Sequence, residues 1–172
     1  LRAAVRDTIA PCFDAPPVPV LRDYHAENLL WLPDRAGIAR VGLLDYQDAA
    51  LGAAAYDLVS LVQDARRDVH AALAEAATGH FAAQTGHDPA RLVADIARLG
   101  AQRALRILGT FARLSLRDGK PRYVDLIPRV WGQLADNLAH PACAGLQETV
   151  AALLPAPSPA HLDSLRAPCP TP

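Results

Sequence analysis

Apolar and polar positions follow two rhythms along this chain, and the change from one to the other marks its organisation. Leu1, Val5, Ile9 and Phe13 recur every four residues, the spacing of one helix face, and predict a helix over 1–13. Asp14-Ala15-Pro16-Pro17-Val18-Pro19 ends it, since successive prolines cannot continue a helix. Two short apolar, partly β-branched runs follow at 29–32 and 38–44. Pro33-Asp34-Arg35-Ala36-Gly37 joins them, and its Pro and Gly are turn formers, so a small β-hairpin is predicted.

From there on the period is helical. The stretch 48–52 reads as loop and a helix begins near Ala54, with Leu58, Leu61, Val62 and Ala65 inward and Asp64, Arg66, Arg67 and Asp68 outward. An Ala-rich helix over 69–84 ends at Thr85-Gly86. A long one starts after Asp88-Pro89, with Asp88 as its N-cap, carries Leu92, Ile96, Leu99, Leu105, Leu108 and Phe111, and stops near Asp118-Gly119. Pro121 opens the next, with a kink expected at Pro128, and 146–154 forms the last. Residues 155–172 are Pro-rich and expected to be extended or disordered. The predicted fold is mainly α with a small β-hairpin.

The chemistry concentrates between Val20 and Gln47. Asp23 stands five residues before Asn28 on a loop, and Asp45 closes the second apolar run of the hairpin. Antiparallel strands return the chain to where it left, so the hairpin would bring Asn28 close to Asp45. Phosphoryl transfer needs little covalent help from a protein. It needs a carboxylate to orient and deprotonate the attacking hydroxyl, and oxygen ligands for Mg²⁺ beside the phosphates. Asp23 suits the first role. Mg²⁺ keeps several waters and takes only one or two protein oxygens, which Asn28 and Asp45 can supply. Leu21-Arg22-Asp23 and Asn28 match the spacing of the kinase catalytic loop except at its first position, where Leu21 replaces His.

Arg-Asp-Tyr-His-Ala-Glu-Asn-Leu from Arg22, Gly-Leu-Leu-Asp-Tyr-Gln-Asp-Ala from Gly42, and Tyr-Asp-Leu-Val-Ser-Leu-Val-Gln-Asp-Ala-Arg-Arg-Asp from Tyr56 resemble the aminoglycoside phosphotransferase-like kinases. Within them the resemblance is closest to the bacterial cell-wall amino-sugar kinases, which phosphorylate the anomeric hydroxyl of N-acetylmuramate and N-acetylglucosamine in peptidoglycan recycling. The later segments Gln102-Arg103 to Arg113 and Arg117 to Tyr123 are also similar to that subfamily. The resemblance implies Asp23 as catalytic base, Asn28 and Asp45 as metal ligands, and Arg22, His25 and Asp57 as loop-supporting residues, with ATP and Mg²⁺ as donor and cofactor. Read from the residues alone, Asp57 is equally an acid in the first turn of a helix, where it favours the helix dipole.

Composition adjusts this picture in four ways. Half the residues are apolar (51%) in 172, enough for one sizeable core and hence a single domain. The net charge is −1 with both signs interspersed, so no basic face marks a nucleic-acid partner. No apolar run reaches membrane-spanning length and no signal segment opens the chain, which leads to the expectation of a cytoplasmic protein without membrane contact. Cys12, Cys143 and Cys169 lack metal or disulfide spacing and read as reduced thiols.

The chain contains no Met, and no Gly-rich phosphate loop or Lys-bearing strand precedes the loop at 20–28. The expectation is therefore a kinase-like C-terminal lobe over 1–154, with its catalytic loop at 20–28, its metal-binding strand end at 41–48 and a helical subdomain at 54–154. The nucleotide-binding lobe would be its missing partner, and the fragment alone would be inactive. Glu27, Asp48, Arg103, Arg113, Lys120 and Arg122 are the further residues that could meet substrate, although basic residues on helices are commonly solvated. Trp31 and Trp131 read as packing residues.

Three rivals stand beside this reading. Asp23, His25, Asp45 and Asp48 could form the carboxylate and histidine cluster of a metal-dependent hydrolase. The same fold could serve an aminoglycoside, choline or homoserine acceptor. A chain without its nucleotide lobe could also be a non-catalytic binding module.

Overall fold

The computed structural model describes residues 1–167, which divide into two compact units, 10–96 and 1–9 with 97 onward. Cys169 and the rest of 168–172 lie outside the described residues. The architecture is mainly helical with two small antiparallel sheets. Among the described residues no helix is long and apolar enough to cross a membrane.

In the unit spanning 10–96, strand β1 (Val18–Val20) pairs antiparallel with β4 (Ala50–Gly52), in the register Val18 to Gly52, Pro19 to Leu51 and Val20 to Ala50. The sequence predicts a helix-ending proline run at 14–19 and a loop at 48–52, and a strand in neither. Neither is long enough to show alternation, and the partner of each lies some thirty residues away, so no local signal announces the pairing. Gly52 is required by this sheet: a Cβ there would lie 2.8 Å from Cγ2 of Val20, closer than real carbon atoms approach.

The predicted hairpin is present but shorter than expected, β2 (Leu29–Trp31) against β3 (Val41–Leu43). Gly37, in the left-handed region at φ 55°, starts a 3-10 turn over Gly37–Arg40, which therefore leaves the strand. A bond from Leu32 N–H to the Arg40 carbonyl at 2.8 Å closes that turn. Trp31 is not a packing residue: it is 65% exposed, with the Arg40 guanidinium 5.6 Å above its ring.

Helix α2 (Tyr56–Val62) begins two residues later than expected and buries Leu58, Val59 and Ser60. Asp64, expected outside, is buried (1% exposed) because its carboxylate accepts the N–H of Arg66 at 2.8 Å and faces the Arg67 guanidinium at 3.6 Å. α3 (Ala71–Thr85) is capped by His70, whose Nδ1 accepts the N–H of Ala72, and stops at left-handed Gly86. α4 (Pro89–Leu116) starts where predicted: Asp88 Oδ2 accepts the N–H of Arg91 at 2.7 Å, supplying a first-turn amide that has no partner inside the helix.

In the other unit α1 (Arg2–Ile9) packs on α6 (Ala144–Leu153). The predicted first helix changes to a 3-10 turn over Ala10–Phe13, because Pro11 has no N–H to continue α geometry. α5 (Ile127–Leu138) lays Ile127, Val130, Leu134 and Leu138 inward. Pro128 does not kink it, since it sits in the first turn, where a missing N–H costs nothing.

The tail departs from expectation between Pro159 and Arg166, which form helix α7. The Ser158 hydroxyl caps it by accepting the N–H of His161 at 3.2 Å, and Pro159 occupies a first-turn position. Arg166 then ties it down through ion pairs of 2.7 Å with Asp125 and with Asp163. Pro155 and Pro157, just ahead of Pro159, conceal a helix whose own sequence holds no proline beyond its first residue.

Candidate active site

Leu21 and Arg22 carry the loop past the N-terminal turn of α2. Asp57, the second residue of that helix, accepts both of their amides in one carboxylate, Leu21 N–H at 2.6 Å and Arg22 N–H at 3.0 Å. The hydroxyl of buried Ser60, one turn further on, donates to the Arg22 carbonyl at 3.3 Å. These bonds hold Arg22 at φ 72°, a conformation that costs a non-glycine residue about 1–2 kcal/mol. The reversal they impose delivers the next residue, Asp23. The Arg22 side chain reaches the Asp48 carbonyl at 3.5 Å.

Asp23 is half-buried, and its carboxylate makes no hydrogen bond among the described residues. Its carbonyl accepts the Nδ2 of Asn28 at 3.0 Å and the N–H of His25 at 3.0 Å, so the loop between them closes on itself. With Nδ2 committed, the amide oxygen of Asn28 is the end left for a cation. Leu44 N–H donates to the Asn28 carbonyl at 2.9 Å, one residue before Asp45, so the hairpin does draw these two chain segments to the same end. Asp45 is exposed, in the left-handed region at φ 54°, and its Oδ1 accepts from Gln47 Nε2. Asp and Asn adopt that conformation more readily than other side chains.

The amide oxygen of Asn28 and the carboxylate of Asp45, on chain segments that the backbone bond from Leu44 to Asn28 links, are hard oxygens of the kind and small number that Mg²⁺ takes from a protein. They do not fit the hydrolase alternative. Among the described residues no group of three or more His, Cys, Asp or Glu could hold a metal ion, and Asp23, His25, Asp45 and Asp48 do not form one.

His25 is buried, and burial, followed by the nearby Arg66 guanidinium, lowers its pKa against the opposing pull of Asp64, Asp23 and Glu27. The shift favours the neutral imidazole. Its Nε2 lies 3.5 Å from Asn28 Nδ2 and 3.3 Å from Arg66 Nη1. Glu27 is exposed and forms a 3.0 Å ion pair with Arg66 Nε. Arg66 and Ser60 both touch the loop and both escaped the sequence reading. A serine on a helix is unremarkable, and Arg66 is exposed as expected, so periodicity gives no sign that its guanidinium also meets the loop.

Arg103, Arg113, Lys120 and Arg122 belong to the other unit. Arg103 is buried on α4, so it is not a solvated helix base. Arg113 and Lys120 are exposed, and Arg122 lies with its guanidinium 5.3 Å from the ring of Tyr123.

The model of a family described as "Phosphotransferase enzyme family" (APH) matches residues 1–93. The N-acetylmuramate/N-acetylglucosamine kinase of Caulobacter vibrioides is 52% identical over 127 residues, 73% of this chain and 35% of that protein. The protein of the same name from Pseudomonas aeruginosa is 34% identical over 155 residues, 84% of this chain and 44% of its own length. That from Neisseria meningitidis serogroup B is 36% identical over 131 residues, 72% and 38% respectively. The chain thus spans well under half the length of the curated relatives it matches. The family match takes in the loop with Asp23 and Asn28, the hairpin that ends at Asp45, and the helix that supplies Asp57: this chain belongs to the phosphotransferase enzyme family.

Proposed function

We propose that this chain is the C-terminal, acceptor-binding part of a kinase that moves the γ-phosphoryl group of ATP to a hydroxyl of a small amino sugar of the N-acetylmuramate or N-acetylglucosamine kind. The observation that carries the reading is the 3.0 Å bond from Asn28 Nδ2 to the Asp23 carbonyl, made at the end of the hairpin that also leads to Asp45. It ties the backbone of the residue whose carboxylate suits a base to a residue whose amide oxygen suits a cation.

In this reading Asp23 orients the acceptor hydroxyl and takes its proton as the new O–P bond forms, a role for which its carboxylate has no competing hydrogen bond among the described residues. Asn28 and Asp45 would hold Mg²⁺, which when bound neutralises charge on the phosphate oxygens. Asp57, Ser60 and Arg22 fix the backbone so that these groups need no rearrangement during reaction, the condition under which electrostatic stabilisation is largest. ATP as donor implies a cytoplasmic site of action. The nucleotide-binding part would lie in sequence outside this chain, a reading the length of its relatives supports, and these 172 residues alone should not turn over ATP.

The product of the complete open reading frame tests this. It is supplied with ATP, MgCl₂ and a panel of acceptors, and ADP release is followed. Turnover of N-acetylmuramate or N-acetylglucosamine is expected. Turnover confined to aminoglycosides, choline or homoserine would reassign the acceptor, and none with any acceptor would leave a non-catalytic binding module.

A further inference from the structure

Arg66 lies beyond the end of α2, yet its guanidinium meets two residues of the loop at once. Nη1 is 3.3 Å from His25 Nε2, and Nε is 3.0 Å from Glu27 Oε2. Its backbone is anchored independently, because its N–H donates to buried Asp64 at 2.8 Å. A guanidinium only donates, so the His25 nitrogen facing it carries a lone pair and the ring proton sits on Nδ1. Asn28 Nδ2 approaches the same Nε2 at 3.5 Å, a second donor directed at one acceptor. From Glu27 through Arg66, His25 and Asn28, the contacts run without a break to the Asp23 carbonyl.

We propose that Arg66 is a positioning residue for phosphoryl transfer, fixing His25 in one tautomer and the loop from Asp23 to Asn28 in one shape. The assignment rests on the kinase reading above. Both ends of the ion pair with Glu27 are a third or more exposed, so the contact adds little to stability, and its loss should register in the chemical step instead of the fold. Arg66 reaches Asn28 through His25, so its loss should register in kcat before it registers in KM. Its planar fork spans two partners, a geometry that a lysine ammonium does not reproduce.

The experiment uses the complete open reading frame product and its Arg66→Ala, Arg66→Lys and Glu27→Gln variants. For Arg66→Ala we expect kcat to fall about 30-fold, the order of loss that slight misplacement of reacting groups produces. KM for ATP and acceptor should stay within about threefold, and the thermal midpoint should not move measurably. Arg66→Lys should recover only a small part of kcat. Guanidinium ion at low millimolar concentration should restore part of the Arg66→Ala rate without raising that of the wild type. Glu27→Gln, which leaves the His25 contact intact, should show a smaller loss. A kcat within twofold of wild type in Arg66→Ala, or a loss matched by a lowered thermal midpoint, would overturn the proposal.

A readout independent of turnover is the ¹⁵N–¹H correlation spectrum of the His25 ring. It should show the Nδ1–H tautomer in the wild type and a mixture in Arg66→Ala. An Nε2–H tautomer in the wild type would overturn the assignment to Arg66, whereas a wild type without any kinase turnover would overturn the reading on which it rests.

Discussion

Asp57 Oδ1 accepts the backbone N–H of Arg22 at 3.0 Å, and Arg22 is one of two non-glycine residues among those described with left-handed backbone, at φ 72°. The two facts belong together. The second carboxylate oxygen takes Leu21 N–H and Ser60 takes the Arg22 carbonyl, so three bonds from one helix offset the cost of a turn that the loop needs just before Asp23.

Asp57→Ala should therefore affect fold and activity together. Hydrogen bonds to a charged group are worth about 1.5–3 kcal/mol, and partial exposure of these two sets the expected loss near 2 kcal/mol in total. For a chain of this size that lowers the thermal midpoint by roughly 4–8 °C. Turnover should fall about 100-fold, because the base is no longer held in place. Asp57→Asn keeps one acceptor oxygen and should fall between. Thermal denaturation and steady-state kinetics on the same preparations check both.

Gly52 makes a purely steric prediction. A methyl group there meets Cγ2 of Val20 at 2.8 Å, so Gly52→Ala should cost about 1–3 kcal/mol by overpacking. Val20→Ala in the same protein should recover most of the loss. A double-mutant cycle measured by urea denaturation should give a coupling of roughly 1 kcal/mol or more.

How much of this was legible in the residues depends on how local each signal was. Asp88 with Pro89, Gly86 and the apolar stripe of α4 announced their elements, because caps and periodicity act within a few residues. The β1–β4 sheet was not legible, since Pro19 looks like a breaker and its partner Leu51 lies far along the chain. Asp23, Asn28 and Asp45 could be picked out by spacing, and the hairpin between them by its turn residues. Their supports were less legible. From the residues alone Asp57 reads equally as a helix acid, and only the family resemblance points to the loop it holds, while the contacts of Arg66 and Ser60 with the loop have no local signal.

Asp45→Asn should separate metal from fold. The side chain keeps its shape and one oxygen but loses its charge, so the MgCl₂ concentration for half-maximal turnover should rise about tenfold or more, as the ligand charge is lost. The thermal midpoint should hold, because Asp45 is exposed and, among the described residues, its side chain is hydrogen-bonded to Gln47 alone. Titration of turnover with MgCl₂ in wild type and variant checks it.

Cys143 is fully buried, and burial pushes its thiol pKa up, against the weaker opposing effect of Arg98. Cys12 is buried with its Sγ 3.4 Å from Asp95. In a Cys169→Ser background neither thiol should react with a disulfide reagent at pH 8 faster than the protein unfolds. Reagent kinetics with and without denaturant check this: two thiols should appear only when denaturant is present.

The most direct measurement is the rate of phosphoryl transfer to the amino sugar by the complete open reading frame product carrying Asp23→Asn. The account predicts a kcat lower by about 10³-fold, KM for ATP within threefold and an unchanged thermal midpoint, as expected for loss of a general base. A variant that transfers phosphate within tenfold of the wild-type rate would contradict it.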